Sequence, residues 1–304
     1  MTTEQDIDNT APGYSGVERR GRPRKKKRAW LFPAIIAGSI VLGGVAYLAR
    51  QADSWLIHLY RHQIVRELSS MQTRFAATGL SVSELGRVQY DGVWFSLQVA
   101  RRVQSGARNR LCVFSGVHGN EPASVEAAVR FTELLGKDPS LYPGYNITVV
   151  PLVNPWGWAR NLRRNGANQD VSRTFYTKPS AEAELVKILL RAEGCDVVVD
   201  LHADHAKRPF YVTSYDNPNL AAARALAREV NARGVPLRVG APDAVFHRND
   251  KDAINNARPN LGLYARRNGA KQVYGVQTPR GLDIEERVAI QLLAIDRLAR
   301  TAGK

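Results

Sequence analysis

Cysteine is scarce in this chain: Cys112 and Cys195 are the only two among 304 residues. No cysteine framework can therefore carry the fold, and stability falls to a buried core, which a chain of this length can build. Each cysteine precedes a histidine, His118 or His202, by six or seven residues. If their segments were neighbouring strands, a disulfide could form in an oxidising compartment. The simpler expectation is two buried free thiols behaving as small apolar side chains. Acidic residues are also in deficit, with 28 Asp/Glu against 43 Lys/Arg and a net charge of +15. Residues 1–29 hold eight basic and four acidic residues, which leaves +11 on the remainder. That excess suits an anionic partner such as an acidic peptide, a wall polymer or a lipid head group, and equally suits plain solubility. No internal repeat is present, and no low-complexity stretch beyond the first residues.

Charge is absent altogether from Ala29 to Ala49, AWLFPAIIAGSIVLGGVAYLA. Twenty-one residues at about 1.5 Å each cross a hydrocarbon layer of roughly 30 Å. The run RRGRPRKKKR (19–28) lies directly ahead of it, an arrangement that keeps the N-terminus cytoplasmic and exports the rest of the chain. Trp30 and Tyr47 suit the two interfaces. The apolar stretch is long for a signal peptide, and Leu48-Ala49-Arg50-Gln51 is a poor cleavage context, so an uncleaved single-pass anchor is expected. RGRPRKK also resembles an AT-hook, but membrane topology accounts for those charges, and nucleic acid is not an expected partner. The expected organisation is a disordered basic cytoplasmic tail (1–28), a transmembrane anchor (29–49), a linker helix (50–84, helical over 55–77) and one domain (85–304) outside the cytoplasm.

Within that domain the pattern alternates. Asp91-Gly92 between two apolar-rich runs predicts a hairpin over 88–99. Strands are predicted at 111–117, 145–153, 195–203 and 272–278. Helices are predicted at 121–135, 180–192, 220–232 and 284–299. Several strands are unbroken apolar runs, as when helices cover both faces of a sheet. The fold class is therefore α/β, with a mostly parallel or mixed central sheet.

Ligands of open α/β sheets collect at the carboxyl ends of strands. His118 and Glu121 come directly after the strand at 111–117, and His202 ends the one at 195–203. Two imidazoles and one carboxylate leave a fourth zinc position open to water, whose pKa then falls to about 7.

The segments GVHGNEPAS (116–124), NPWGW (154–158), RRNGANQDVSR (163–173) and VVDLHA (198–203) occur in the order found in the zinc carboxypeptidase superfamily. The chain resembles its bacterial murein-peptide amidase and succinylglutamate desuccinylase/aspartoacylase branches, over roughly 85–300. The resemblance implies one zinc ion held by His118, Glu121 and His202. It further implies that Asp170 orients the first histidine, that Arg163 steadies the oxyanion, and that Arg173 holds a substrate carboxylate. Ser172 replaces the asparagine usual before that arginine. Specificity would lie in side chains within 206–271. The implied activity is hydrolysis of an amide bond next to a free carboxylate, in a peptide, a wall-derived peptide or an N-acyl amino acid.

One departure is serious. Where the superfamily carries a catalytic glutamate, this chain has Gln277, in VYGVQTPRG. An amide cannot take a proton near neutral pH, so the usual general base is missing. Asp204 and His205 are the substitutes the sequence offers. A zinc-binding pseudoenzyme that recognises a carboxylate-ended ligand is the alternative, and a membrane-bound scaffold is a third reading.

Overall fold

A computed structural model describes residues 80–176, 178–203, 209–248 and 260–300. The expected tail, the anchor and the helical part of the linker (55–77), together with Asp204 and His205, lie outside the described residues. No helix among the described residues is long and apolar enough to cross a membrane.

The chain enters through a hairpin, β1 (Leu80–Tyr90) and β2 (Val93–Arg102). Asp91 (φ 51°) and Gly92 (φ 71°) turn it, and two residues at positive φ match the twist of the flanking strands. Leu80–Glu84 of β1 pair with Gln98–Arg102 of β2, so the first strand of the sheet begins ahead of the expected boundary at residue 85. Next come β3 (Asn109–Phe114), α1 (Pro122–Lys137), β4 (Tyr145–Val150) and the short α2 (Pro155–Ala159). They are followed by α3 (Ala181–Glu193), β5 (Val197–Ala203), β6 (Tyr211–Tyr215) and α4 (Ala221–Ala232). The last elements are β7 (Val245–Arg248), α5 (Leu261–Arg267), β8 (Gln272–Thr278) and α6 (Ile284–Ala299).

Eight strands form one mixed sheet in the order β1-β2-β4-β3-β5-β8-β6-β7. The central four are parallel: β3 pairs with β4 and β5, and β5 with β8. Antiparallel pairings flank them, β2 on β4 and β6 on β8. Helices α1, α4 and α6 pack on one face over a core that includes Val113, Val199 and Val276. On the other face α3 and α5 cover Phe114, Val198 and Val273. Burial on both faces is why the central strands read as continuous apolar runs. Local signals set the helix ends. Ser180 and Asp283 cap α3 and α6 by accepting from the backbone N–H of Ala183 and Glu286, and Gly194 ends α3 in the left-handed conformation.

The cysteines correct the expectation of free thiols. Cys112 sits in β3 and Cys195 just ahead of β5, and the two strands are parallel neighbours. That adjacency brings the two Cα atoms to 5.8 Å, and the thiols are joined as a disulfide. The bond closes a loop of 83 residues, and loops of that size give about 4 kcal/mol by constraint of the unfolded chain. We expect Cys112→Ser and Cys195→Ser each to lower unfolding free energy by about 2–4 kcal/mol, with no further loss in the double variant. Denaturant unfolding with and without reductant measures this, and additive losses would show that the two sulfurs act independently.

Candidate metal centre

β4 lies on one side of β3 and β5 on the other, so the chain switches sides at β3. Crevices open at the carboxyl ends of such strands. His118 follows β3 in a tight turn, and Gly119 makes that turn possible. A Cβ at Gly119 would stand 2.0 Å from the backbone carbon of Gly157, so the turn and α2 meet backbone to backbone. Pro122 then opens α1, with Glu121 at its N-cap. The Glu121 side chain does not cap the helix. It turns inward to the imidazoles.

His118 Nδ1 lies 2.8 Å from Glu121 Oε1, and His202 Nδ1 lies 3.1 Å from Glu121 Oε2. The ligand atoms of His118, Glu121 and His202 all fall within 4.8 Å of one another, and all three residues are buried. The far nitrogens are also occupied. His118 Nε2 meets Asp170 Oδ1 at 3.2 Å, and His202 Nε2 meets Asp200 Oδ2 at 2.9 Å. Each ring therefore has a carboxylate oxygen at both nitrogens. A neutral imidazole has one N–H and can satisfy only one of them. With the N–H on Nε2, donated to Asp170 or Asp200, both Nδ1 lone pairs point at Glu121. Two lone pairs facing a carboxylate repel unless a cation or a proton stands between them. The donor set therefore fits a divalent cation, with both imidazoles binding through Nδ1 and an oriented partner behind each ring.

The protonation tendencies agree. Burial by itself would raise the Glu121 carboxyl, but the neighbouring imidazoles outweigh it and hold the group well below the usual carboxylate range. Burial would lower His202, but Asp200 and Glu121 prevail and push it up to about 10. A proton on His202 thus does part of a metal ion's work.

Asp170 is the hub on the other side. Burial would raise its carboxyl, yet the contacts with His118, Ser172 and Arg163 hold it far below the usual range. Arg163 donates to it from Nε (3.2 Å) and Nη2 (3.0 Å), and Ser172 Oγ donates at 2.7 Å. Arg173 Nε stands 3.3 Å from the same carboxylate. The Ser172 hydroxyl is thus engaged inside the protein. Arg163 Nη1 also lies 3.2 Å from His118 Nδ1. The loop bearing these residues is pinned from below, where buried Glu182 accepts from Tyr90 Oη (2.9 Å) and Asn165 Nδ2 (3.0 Å).

Residues 107–256 match the model of the succinylglutamate desuccinylase/aspartoacylase catalytic domain. The fold is shared with a candidate metallopeptidase from Shewanella amazonensis SB2B: TM-score 0.66, 22% identity, covering 79% of this chain and 94% of that one. The domain match and the shared fold together support a zinc carboxypeptidase-like superfamily. A metallo-carboxypeptidase from Burkholderia cenocepacia superposes with TM-score 0.58 at 19% identity, over 79% and 68% of the two chains. Bovine thrombin-activatable fibrinolysis inhibitor, in complex with a tick carboxypeptidase inhibitor, gives 0.60 at 15%, over 79% and 96%. None of the curated proteins matches the chain in sequence.

The structure gathers His118, Glu121, His202, Asp170, Arg163 and Arg173 in one place. A cavity of about 440 Å³ opens over the two histidines, with Arg163, Ser172, Arg173 and Gln277 in its wall. Gln277 sits on β8 directly beside His202 on β5. Glu285 ion-pairs with Arg130 on the surface, and Glu285 and Glu286 both lie outside the cavity lining. Sequence reasoning missed Asp200, although residues two apart on a strand share a face, and Asp200-Leu201-His202 placed it there. It also missed the far wall, which comes from β6 and β7.

A zinc ion entering this site would have to displace the His202 proton, and a group with a raised pKa releases its proton more readily as pH rises. Apparent zinc affinity should therefore increase from about pH 6 to 9, roughly tenfold per pH unit for each proton released. Calorimetry in buffers of different ionisation heat counts those protons, and affinity flat across this range would refute the assignment. Asp200→Asn should weaken zinc binding about 10–100-fold by loosening the His202 ring.

Proposed function

We propose that the chain is a zinc-dependent hydrolase that cleaves an amide bond next to a free carboxylate, in a peptide, a wall-derived peptide or an N-acyl amino acid. The observation that carries this reading is the convergence of two buried imidazoles on one carboxylate, each ring backed by a second carboxylate, beneath an arginine-lined cavity. A zinc ion held by His118, Glu121 and His202 would polarise the scissile carbonyl and make a water acidic at neutral pH. Asp170 and Asp200 fix both rings with Nε2–H outward, which keeps the Nδ1 lone pairs available. Arg163 reaches the edge of the centre and can donate to a carbonyl oxygen as it gains charge. Arg173 is half exposed and offers its planar fork to a terminal carboxylate.

Gln277 favours a second reading, in which the same site binds such a ligand without cutting it. The amide can donate and accept hydrogen bonds but takes up no proton. Among the described residues lining the cavity there is no aspartate or glutamate to replace it.

The same proposal tethers the domain to a membrane through residues 29–49 and exports it. The uncharged 21-residue window behind a basic run supports this, and so does the disulfide, since such bonds persist in oxidising compartments.

Metal analysis of the purified full chain, coupled to a hydrolysis screen, tests the reading. We expect about one zinc per chain and turnover of a carboxylate-ended amide, lost in His202→Ala. Zinc without turnover, with activity appearing in Gln277→Glu, would establish the binding role instead. A chain that holds no zinc sinks both.

A further inference from the structure

A second cavity, of about 360 Å³, opens at the opposite end of β8 from the metal centre. Gln272 begins the strand and lines this cavity, whereas Gln277 of the same strand lines the other. Five residues of strand put about 17 Å between the two positions. One wall is the first turn of α4, which presents Ala221, Ala222 and Ala225. Larger apolar residues of that helix, Leu226 and Val230, are buried in the core instead. The other wall is Arg297 and Arg300, at the end of α6. Asn217 fixes the segment ahead of α4 against β8. Its Nδ2 donates to the Val273 carbonyl (2.8 Å), and its Oδ1 accepts from the Val273 N–H (2.6 Å).

The polar groups here are donors. Gln272 is buried, and its Oε1 accepts from the Tyr274 hydroxyl at 3.0 Å. The Nε2 of the same amide has no partner among the described residues. A buried amide N–H without an acceptor is costly, so an acceptor entering the cavity is favoured. Arg297 spends its guanidinium on Glu229 and Asp296. Arg300 gives Nε and Nη2 to Asp296, which aligns its fork and leaves Nη1 uncommitted among the described residues. Neither of those carboxylates lines the cavity. Asn219 Oδ1 accepts from the Ala221 N–H, and the first turn of α4 adds the positive end of a twelve-residue helix. Donors and alanine methyl groups therefore surround a space whose described lining has no acidic side chain.

We infer that this cavity is a second ligand site, which takes a small aliphatic carboxylate. The carboxylate lies between Arg300 and the Gln272 amide, and the hydrocarbon chain lies along the alanines of α4. A bare anion would leave the methyl wall unused, and a neutral chain would leave the donors unused. The volume falls at the lower end of small-molecule sites. None of these groups touches the metal centre, so the site stands whether or not the chain is a zinc hydrolase.

Pentanoate, pentan-1-ol and inorganic phosphate separate the two halves of this recognition, and calorimetric titration of the full chain in detergent, against matched blanks, reads each. We expect a pentanoate-binding event that survives Arg173→Gln, which removes the carboxylate holder proposed at the metal centre. Arg300→Gln should weaken that event about tenfold or more. Ala225→Phe should abolish it, and because Ala225 is exposed the added ring fills the cavity without entering the core. Pentan-1-ol and phosphate should each bind at least about tenfold more weakly than pentanoate. The inference is overturned if no event survives Arg173→Gln, or if neither Arg300→Gln nor Ala225→Phe changes the one that does. An alcohol or a phosphate that binds as tightly as pentanoate overturns it too.

Discussion

Three carboxylates crowd two imidazoles at the mouth of this sheet, and the site is organised by how that charge is balanced. Glu121 and Asp200 are fully buried and Asp170 is half-buried. Ionised groups removed from water are costly unless paired. Protons on the histidines and the guanidinium of Arg163 meet part of the need, which is why His202 is driven toward its charged form and Glu121 toward ionisation. A divalent cation at the three converging donors meets it more fully, because it satisfies both Nδ1 atoms and Glu121 at one point.

The sheet supplies the precision this balance requires. His202 lies in β5 and His118 four residues past the end of its parallel neighbour β3, 84 residues apart in sequence. The β3–β5 ladder, which runs to Phe114 beside Asp200, holds the two segments together. The disulfide joins the same two strands at their other end. On the far side of His118, Asn154 caps α2 by accepting from Gly157 N–H, and its own backbone N–H bonds to Gly116. One residue thereby ties the end of β3 to the helix against which the Gly119 turn packs. The Arg163–Arg173 loop is held separately, by the buried Glu182–Asn165–Tyr90 group. The three converging donors therefore sit on β5 and on the turn and helix start that follow β3, while Arg163 and Arg173 sit on a braced loop.

Much of this was legible in sequence because the signals were local. Asp91-Gly92 announced its turn, unbroken apolar runs announced two covered faces, and the ordered motifs around His118, Glu121 and His202 announced that these three would meet. What stayed hidden depends on contacts between distant segments. The disulfide arises from β3 and β5 being neighbours, which neither segment states alone. Strand β6 is short and carries Thr213 and Ser214, and β7 is only Val245–Arg248, so neither has the hydrophobic length that marks a strand. Both become strands through their partners: β6 pairs antiparallel with β8, and β7 extends it at the sheet edge. The wall that carries Arg238 and Arg248 lies in that region, so its charge could be counted in sequence but not placed.

Gln277 gains a physical meaning in this setting. A carboxylate there would stand beside His202 and share one cavity with four guanidiniums. It would accept protons, and it would also attract those arginines and repel an anionic ligand at short range. The amide gives up proton transfer and removes that competition, leaving the positive wall free for the ligand. In the proposed reading, proton acceptance and anion capture oppose each other at this one position, and an amide there would favour capture. Turnover, where it occurs, must take its base from a group other than position 277.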